Sequence, residues 1–120
     1  MKRAIGLTMA ILLTAAGALA ADVSGKWSGT MTDGRGADSL LLILQQEGTT
    51  LTGTGGPNES QRRPLENGTV QGDVVTFQVP AGPGVLVFDL RIKGDEITGT
   101  VEIKSGGQMV RSGRVSLKRE

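Results

Sequence analysis

The sequence predicts an all-β fold, a small up-and-down antiparallel β-barrel of about eight strands that follows a cleaved signal peptide. Three observations support this prediction. Short apolar or alternating runs are separated by Gly, Asp and Asn clusters. No segment after the first twenty residues keeps a helical period. Glycine accounts for 19 of the 120 residues, and Gly-Asp pairs recur between the runs, as tight hairpin turns require.

The first twenty residues have the three parts of a secretory signal peptide. A basic start, Met1-Lys2-Arg3, precedes an uncharged apolar run, and Ala18-Leu19-Ala20 matches a signal-peptidase site. The run is short for a membrane-spanning helix, and no Cys follows it to carry a lipid anchor. We therefore expect cleavage after Ala20, a single domain over residues 21–120, and a periplasmic or secreted protein without a membrane anchor.

The composition excludes several classes of function. The chain has no His and no Cys, which removes the usual zinc, copper, haem and iron–sulfur ligands and the Ser-His-Asp and Cys-His catalytic groups. One Trp, two Phe and no Tyr provide few surfaces on which nucleic-acid bases could stack. Without residues 1–20, 11 basic and 12 acidic residues remain. We expect no metal, no cofactor and no nucleic-acid partner.

Eight runs qualify as strands because each is bounded by turn residues and is apolar or alternates in polarity. In order they are Lys26–Thr32, Ser39–Gln46, Thr49–Gly55, Glu66–Gln71, Val74–Pro80, Val85–Lys93, Glu96–Lys104 and Gln108–Lys118. Their connections are short, so successive strands should be antiparallel neighbours.

Three hairpins determine which side of the strands faces inward. Gly48, Gly72 and Gly94 suit two-residue turns. Such turns place apolar residues opposite each other, namely Leu44 with Leu51, Val70 with Val75, and Ile92 with Ile97. Extending the alternation predicts an inner face of Trp27, Met31, Leu40, Leu42, Leu44, Leu51, Val70, Val75, Phe77, Val79, Leu86, Phe88, Leu90, Ile92, Ile97, Val101 and Ile103. A three-residue loop at 105–107 would add Met109, Val115 and Leu117.

Several glycines fall on the same inner face and allow the strands to coil strongly. Eight coiled strands with one apolar face favour a closed barrel, which leaves no open sheet edge. A two-sheet β-sandwich is the alternative architecture.

Gly25-Lys26-Trp27 opens the first strand, and Gly-Asp hairpins follow it. In these features residues 22–120 resemble the lipocalin and avidin-like (calycin-type) barrels, and more closely small secreted bacterial proteins of this type. The chain is much shorter than a lipocalin and lacks both an obvious C-terminal helix and the aromatic residues that line the avidin biotin site. The resemblance therefore implies the fold and leaves the ligand open. It also implies an Arg packed over Trp27, a place that the strand pattern offers to Arg111.

Four residues are candidate ligand contacts. Trp27 either stacks on a ligand or plugs one end of the barrel, and the plug is the favoured interpretation. Arg111 faces inward, over Trp27, if the 105–107 loop has three residues, and faces solvent if that loop differs by one; both alternatives stay open. Arg62 and Arg63 lie in the longest loop, where they either clamp an anion at the barrel mouth or are simply solvated.

Leu41 and Ile43 are candidate interface residues. Their neighbours occupy the inner face, so these two should point outward and form an apolar stripe on the second strand. We expect this stripe to be covered by a second copy or by another protein.

The function predicted is that of an exported, non-catalytic barrel that binds a small apolar molecule or a protein partner. The inner glycines would leave a small void near Trp27 and Gly113. The alternative is an accessory module that acts through the outer face of the second strand and has no ligand cavity. A carboxylate-based hydrolase is disfavoured, because no carboxylate pair is evidently buried or set across a cleft.

Overall fold

The computed structural model describes residues 22–120, which form nine antiparallel strands. The predicted signal peptide and Ala21 lie outside the described residues. The strands are β1 (Gly25–Asp33), β2 (Gly36–Glu47), β3 (Thr50–Gly56), β4 (Arg63–Pro64), β5 (Glu66–Gln71), β6 (Val74–Ala81), β7 (Gly84–Lys93), β8 (Glu96–Ser105) and β9 (Gln108–Arg119). The eight predicted strands are confirmed, and the two-residue β4 is additional.

The sheet closes on itself. Its order is β2-β1-β9-β8-β7-β6-β5-β3-β4, and a further β2–β3 pairing joins the two sides. The weakest seam is β3–β5, where only Thr50–Thr69 and Leu51–Gly68 are paired. The structure is therefore the predicted eight-stranded barrel with one short extra strand, and the sandwich alternative is excluded.

Two of the three predicted hairpin registers are confirmed. Val70 faces Val75, and Ile92 faces Ile97. Gly72 and Gly94 have φ values of 63° and 61°, which the first residue of a type II′ turn requires.

The β2–β3 register differs from the prediction. Its turn is Gly48–Thr49, so Leu44 lies opposite Gly53 and Gln46 opposite Leu51. The predicted Leu44–Leu51 pair is wrong by two residues. Because side chains alternate with a period of two, this slip leaves Leu44 and Leu51 both buried on the inner face.

The β8–β9 hairpin contains a bulge. A two-residue turn pairs Ser105 with Gln108 and Lys104 with Met109, and the register then shifts so that Ile103 pairs with Arg111. The shift leaves Val110 as the extra residue. Val115 and Leu117 are inside as predicted, whereas Met109 is 57% exposed, because its partner Lys104 is an outward residue.

The barrel has two different ends. The closed end carries the turns at 48–49, 72–73 and 94–95, and the open end carries the turns at 34–35, 82–83 and 106–107 together with the loop 57–62. Most of the buried core lies between the closed end and the middle of the barrel, where Phe77 and Phe88 stack with ring centroids 4.7 Å apart. At the open end Met31 and Leu86 are only partly buried.

Candidate functional site at the open end of the barrel

The closed end is filled by the residues that precede β1. Val23 is fully buried, its N–H donates to Gln46 Oε1 at 2.9 Å, and its carbonyl accepts the Trp27 indole N–H at 2.9 Å. The Ser24 hydroxyl accepts the backbone N–H of Gln46 at 2.9 Å. Trp27 is itself fully buried. These contacts are those of a plug, and Trp27 has no exposed surface on which a ligand could stack.

Arg119 covers the outer side of Trp27. Its guanidinium carbon lies 4.3 Å from the ring centroid, within cation–π range. Its Nη1 and Nη2 donate to the carbonyls of Ser24 and Asp22 at 2.7 and 3.0 Å, and its Nε donates to Asp95 at 3.0 Å. The prediction that Arg111 lies over Trp27 is wrong, because the closing β1–β9 register places Arg119 opposite Trp27.

Sequence reasoning missed both Val23 and Arg119. Val23 precedes the first strand, so alternation along a strand gives no information about it. Arg119 could have been found from the closing register alone, since it is the residue of β9 that pairs with Trp27.

A cavity of about 510 Å³ occupies the open end. We call it the mouth cavity; its apolar walls are Met31, Leu40, Leu42, Val79, Leu86 and Phe88, with Gly55 and the start of the 57–62 loop at one side. Trp27 is not one of its walls, although Leu42, the cross-strand partner of Trp27, is. The predicted void near Trp27 is therefore displaced toward the open end. The volume of the mouth cavity falls in the range typical of small-molecule sites.

A polar recess adjoins the mouth cavity. It measures about 290 Å³ and is lined by Asp33, Arg35, Asp38 and Arg111, with Asp38 shared between the two spaces. We call these four side chains the charged rim. Arg111 Nε lies 3.3 Å from Asp33 Oδ2, and Asp33 Oδ1 accepts the backbone N–H of Arg35 at 2.8 Å.

Arg111 faces inward, which is one of the two alternatives left open by the sequence. It pairs with Ile103, which pairs with Leu86, which pairs with Val79. These four residues therefore form one lateral row on the inner face, and two of them are walls of the mouth cavity.

Arg62 and Arg63 lie away from these two spaces. Arg62 Nη1 donates to the hydroxyl of Thr54, an outward residue of β3, at 3.2 Å, and its Nε donates to the Glu59 carbonyl at 3.0 Å. Arg63 pairs with Gly55 in the short β4, and its side chain is exposed. Neither side chain lines the mouth cavity or the charged rim.

The loop 57–62 covers the outer face of β2. Leu41, which was expected to be exposed, is only 7% exposed. It lines a shallow surface groove together with Pro57, Asn58 and Glu59 of this loop. Lys26 Nζ contacts Glu59 Oε2 at 3.0 Å, which raises the pKa of Lys26 and lowers the pKa of Glu59 through this hydrogen bond. Ile43 is partly exposed. The prediction that Leu41 is exposed is therefore wrong, because the loop 57–62 of the same chain lies against it.

Within residues 22–120 no helix is long and apolar enough to cross a membrane. Comparisons of the chain with protein-family models, with curated proteins and with solved structures gave no match. The closed barrel is compatible with a calycin-type fold.

Proposed function

We propose that this protein is an exported, non-catalytic barrel that binds a small apolar molecule in the mouth cavity. The observation that carries the proposal is the unequal filling of the barrel. Large side chains pack the closed end completely, whereas at the open end an apolar space of about 510 Å³ remains. A ligand that fills this space would bury the half-exposed walls Met31 and Leu86, and each buried CH₂ group contributes about 0.8 kcal/mol.

A non-catalytic role is proposed because the inner face offers no pair of groups suited to acid–base chemistry. Asp33 already accepts a backbone N–H and faces Arg111, and Asp38 is exposed. Asp38 is the only carboxylate among the residues that line the mouth cavity, and a carboxylate-based hydrolase needs a pair.

Export is part of the proposal and depends on the signal-peptide pattern of residues 1–20. A periplasmic or extracellular barrel with one open end would carry or sense its ligand outside the cytoplasm. The lipocalin-like interpretation fits this role, and the contact of the Arg119 guanidinium with the Trp27 ring supports it.

The test is to fill the cavity by mutation. Leu86→Trp should occupy the mouth cavity, while Val87→Trp adds the same side chain to the neighbouring outward position and serves as the matched control. We expect the unmodified protein and Val87→Trp to bind an apolar fluorescent dye with similar affinity, and Leu86→Trp to bind it at least about tenfold more weakly, a loss of about 1.4 kcal/mol. Equal binding by all three proteins would contradict the proposal.

A further inference from the structure

We infer that the ligand of the mouth cavity is an amphiphile with an anionic head, held by the guanidinium of Arg111 while the apolar tail fills the cavity. The inference rests on the proposed function and specifies the chemical class of its ligand. Carboxylate, sulfate and phosphate heads share the required chemistry, since each presents oxygen acceptors to the planar donors of an arginine.

The position of Arg111 is the first argument. The lateral row Val79–Leu86–Ile103–Arg111 changes from apolar to cationic at β9. A molecule whose tail contacts Val79 and Leu86 therefore has its end near the only charged member of that row. The Arg111 side chain lies at the rim and is 36% exposed, so its charge is accessible to a ligand in the recess.

The second argument is that Arg111 has unused donor capacity. Its Nε is buried and has no hydrogen-bond partner of acceptable geometry among the described residues, although Asp33 lies 3.3 Å away. A buried donor without an acceptor destabilises the folded protein. The terminal Nη1 and Nη2 groups of the same guanidinium likewise make no hydrogen bond to the described residues, and the side chain is 36% exposed, so an oxygen of a bound anion can accept from them.

The third argument concerns the other charges of the rim. Asp33 is 17% exposed, and its two oxygens are already directed at the Arg35 backbone and at Arg111, so it acts as an anchor for the guanidinium. Arg35 adds a second cation to the same recess. Asp38 opposes an anion, and like Arg35 it is exposed and therefore screened by solvent. The four charges of the rim cancel, so the preference for an anionic head rests on the unused donors of Arg111.

The experiment uses three probes with the same tail, namely decanoate, decanol and decyltrimethylammonium, and measures their affinities for the purified protein by calorimetry. We expect decanoate to bind at least about tenfold more tightly than decanol, and the cation more weakly than either. Decyl phosphate then distinguishes a carboxylate-selective rim from one that accepts anions in general. The preference for the anion should shrink at high salt.

Two substitutions assign the preference to Arg111. Arg111→Gln should abolish the difference between decanoate and decanol while leaving decanol affinity unchanged. Arg114→Gln, on the same strand but facing outward, is the matched control and should keep the difference. Asp38→Asn should increase decanoate affinity, because it removes the opposing charge. This variant tests the rim even if Arg111→Gln proves unstable.

The outcomes separate the two proposals. Binding of all three probes with equal affinity, or tightest binding of the cation, would overturn the anionic head and leave the apolar cavity standing. An Arg111→Gln variant that retains the full preference would also overturn it. If neither decanol nor decanoate binds, the proposed function itself fails.

Discussion

Trp27 and Arg119 hold the closed end of the barrel together. The indole N–H is satisfied by the Val23 carbonyl, one ring face carries the Arg119 guanidinium, and the same guanidinium binds the carbonyls of Asp22 and Ser24. The backbone N–H of Ser24 donates to the side chain of Asp22 and lowers its pKa. Trp27 and the Arg119 on its ring thus hold residues 22–24, which precede β1 and belong to no strand.

Replacing Trp27 by Ala should lower the free energy of unfolding of the ligand-free protein by about 3–5 kcal/mol, the usual cost of deleting a large buried aromatic side chain. Urea titrations followed by circular dichroism measure this, since the variant has no Trp fluorescence. Trp27→Phe should cost less, because the ring is partly retained. An unchanged free energy of unfolding for Trp27→Ala would mean that the residue serves a ligand and does not plug the barrel.

A second residue-scale prediction concerns the ion pair that fastens the loop 57–62. The hydrogen bond from Lys26 lowers the pKa of Glu59, so the pair stabilises the fold above the ordinary carboxyl range and loses this effect as the pH falls through the lowered pKa. The urea midpoint of Glu59→Gln should therefore lie below that of the unmodified protein at neutral pH and converge with it in acid.

Glu96→Gln is the control for this loop contact. Glu96 approaches Lys118 only to 4.0 Å, and both side chains are well exposed, so its removal should change the midpoint less at neutral pH. A Glu59→Gln midpoint that differs from the unmodified protein equally at neutral and acid pH would contradict the proposed role of the ion pair.

At the scale of strands, the sequence predicts which face of the sheet a residue occupies more reliably than which residue it pairs with on the next strand. The β2–β3 hairpin is shifted by two residues from the simplest prediction, and Leu44 and Leu51 remain inside. The β8–β9 hairpin keeps Val115 and Leu117 inside because its turn is one residue shorter than predicted and its bulge adds one residue. Met109, between the turn and the bulge, is the residue whose face changes.

Deleting Val110 tests the bulge. The deletion should leave Lys104 opposite Met109 and Ile103 opposite Arg111 in one continuous ladder, so the free energy of unfolding should change by less than about 1 kcal/mol. Deleting Ser116 instead would reverse the faces of Val115 and Leu117 relative to each other and should be strongly destabilising. Similar losses in the two deletion variants, measured by urea titration, would mean that the assigned register is wrong.

At the scale of the whole molecule, alternation and turn chemistry were sufficient to predict the eight strands, their antiparallel order and nearly all of the buried face. These are local properties that a period of two and a two-residue turn determine. The same pattern favoured a closed barrel over a sandwich without deciding between them, and the β2–β3 pairing confirms the barrel.

The features that the sequence did not reveal depend on contacts between distant segments. The placement of Arg119 over Trp27 depends on the closing β1–β9 register, and the burial of Leu41 depends on how a loop folds back over β2. The position of the cavity depends on which end the N-terminal segment fills. The sequence predicted which residues face inward, but such a list does not show that Val23 and Trp27 concentrate the packing at one end.

The central claim is that one end of this barrel is packed and the other end binds an apolar molecule. The most direct measurement is a methyl NMR titration of the labelled protein with decanol, which makes no use of the charged rim. We expect chemical-shift changes at the open-end methyl groups of Leu40, Val79 and Leu86, which line the mouth cavity, and none at the closed-end methyl groups of Ile92, Ile97 and Leu117. Changes confined to the outer face, equal changes at both ends, or no change at saturating decanol would contradict the account.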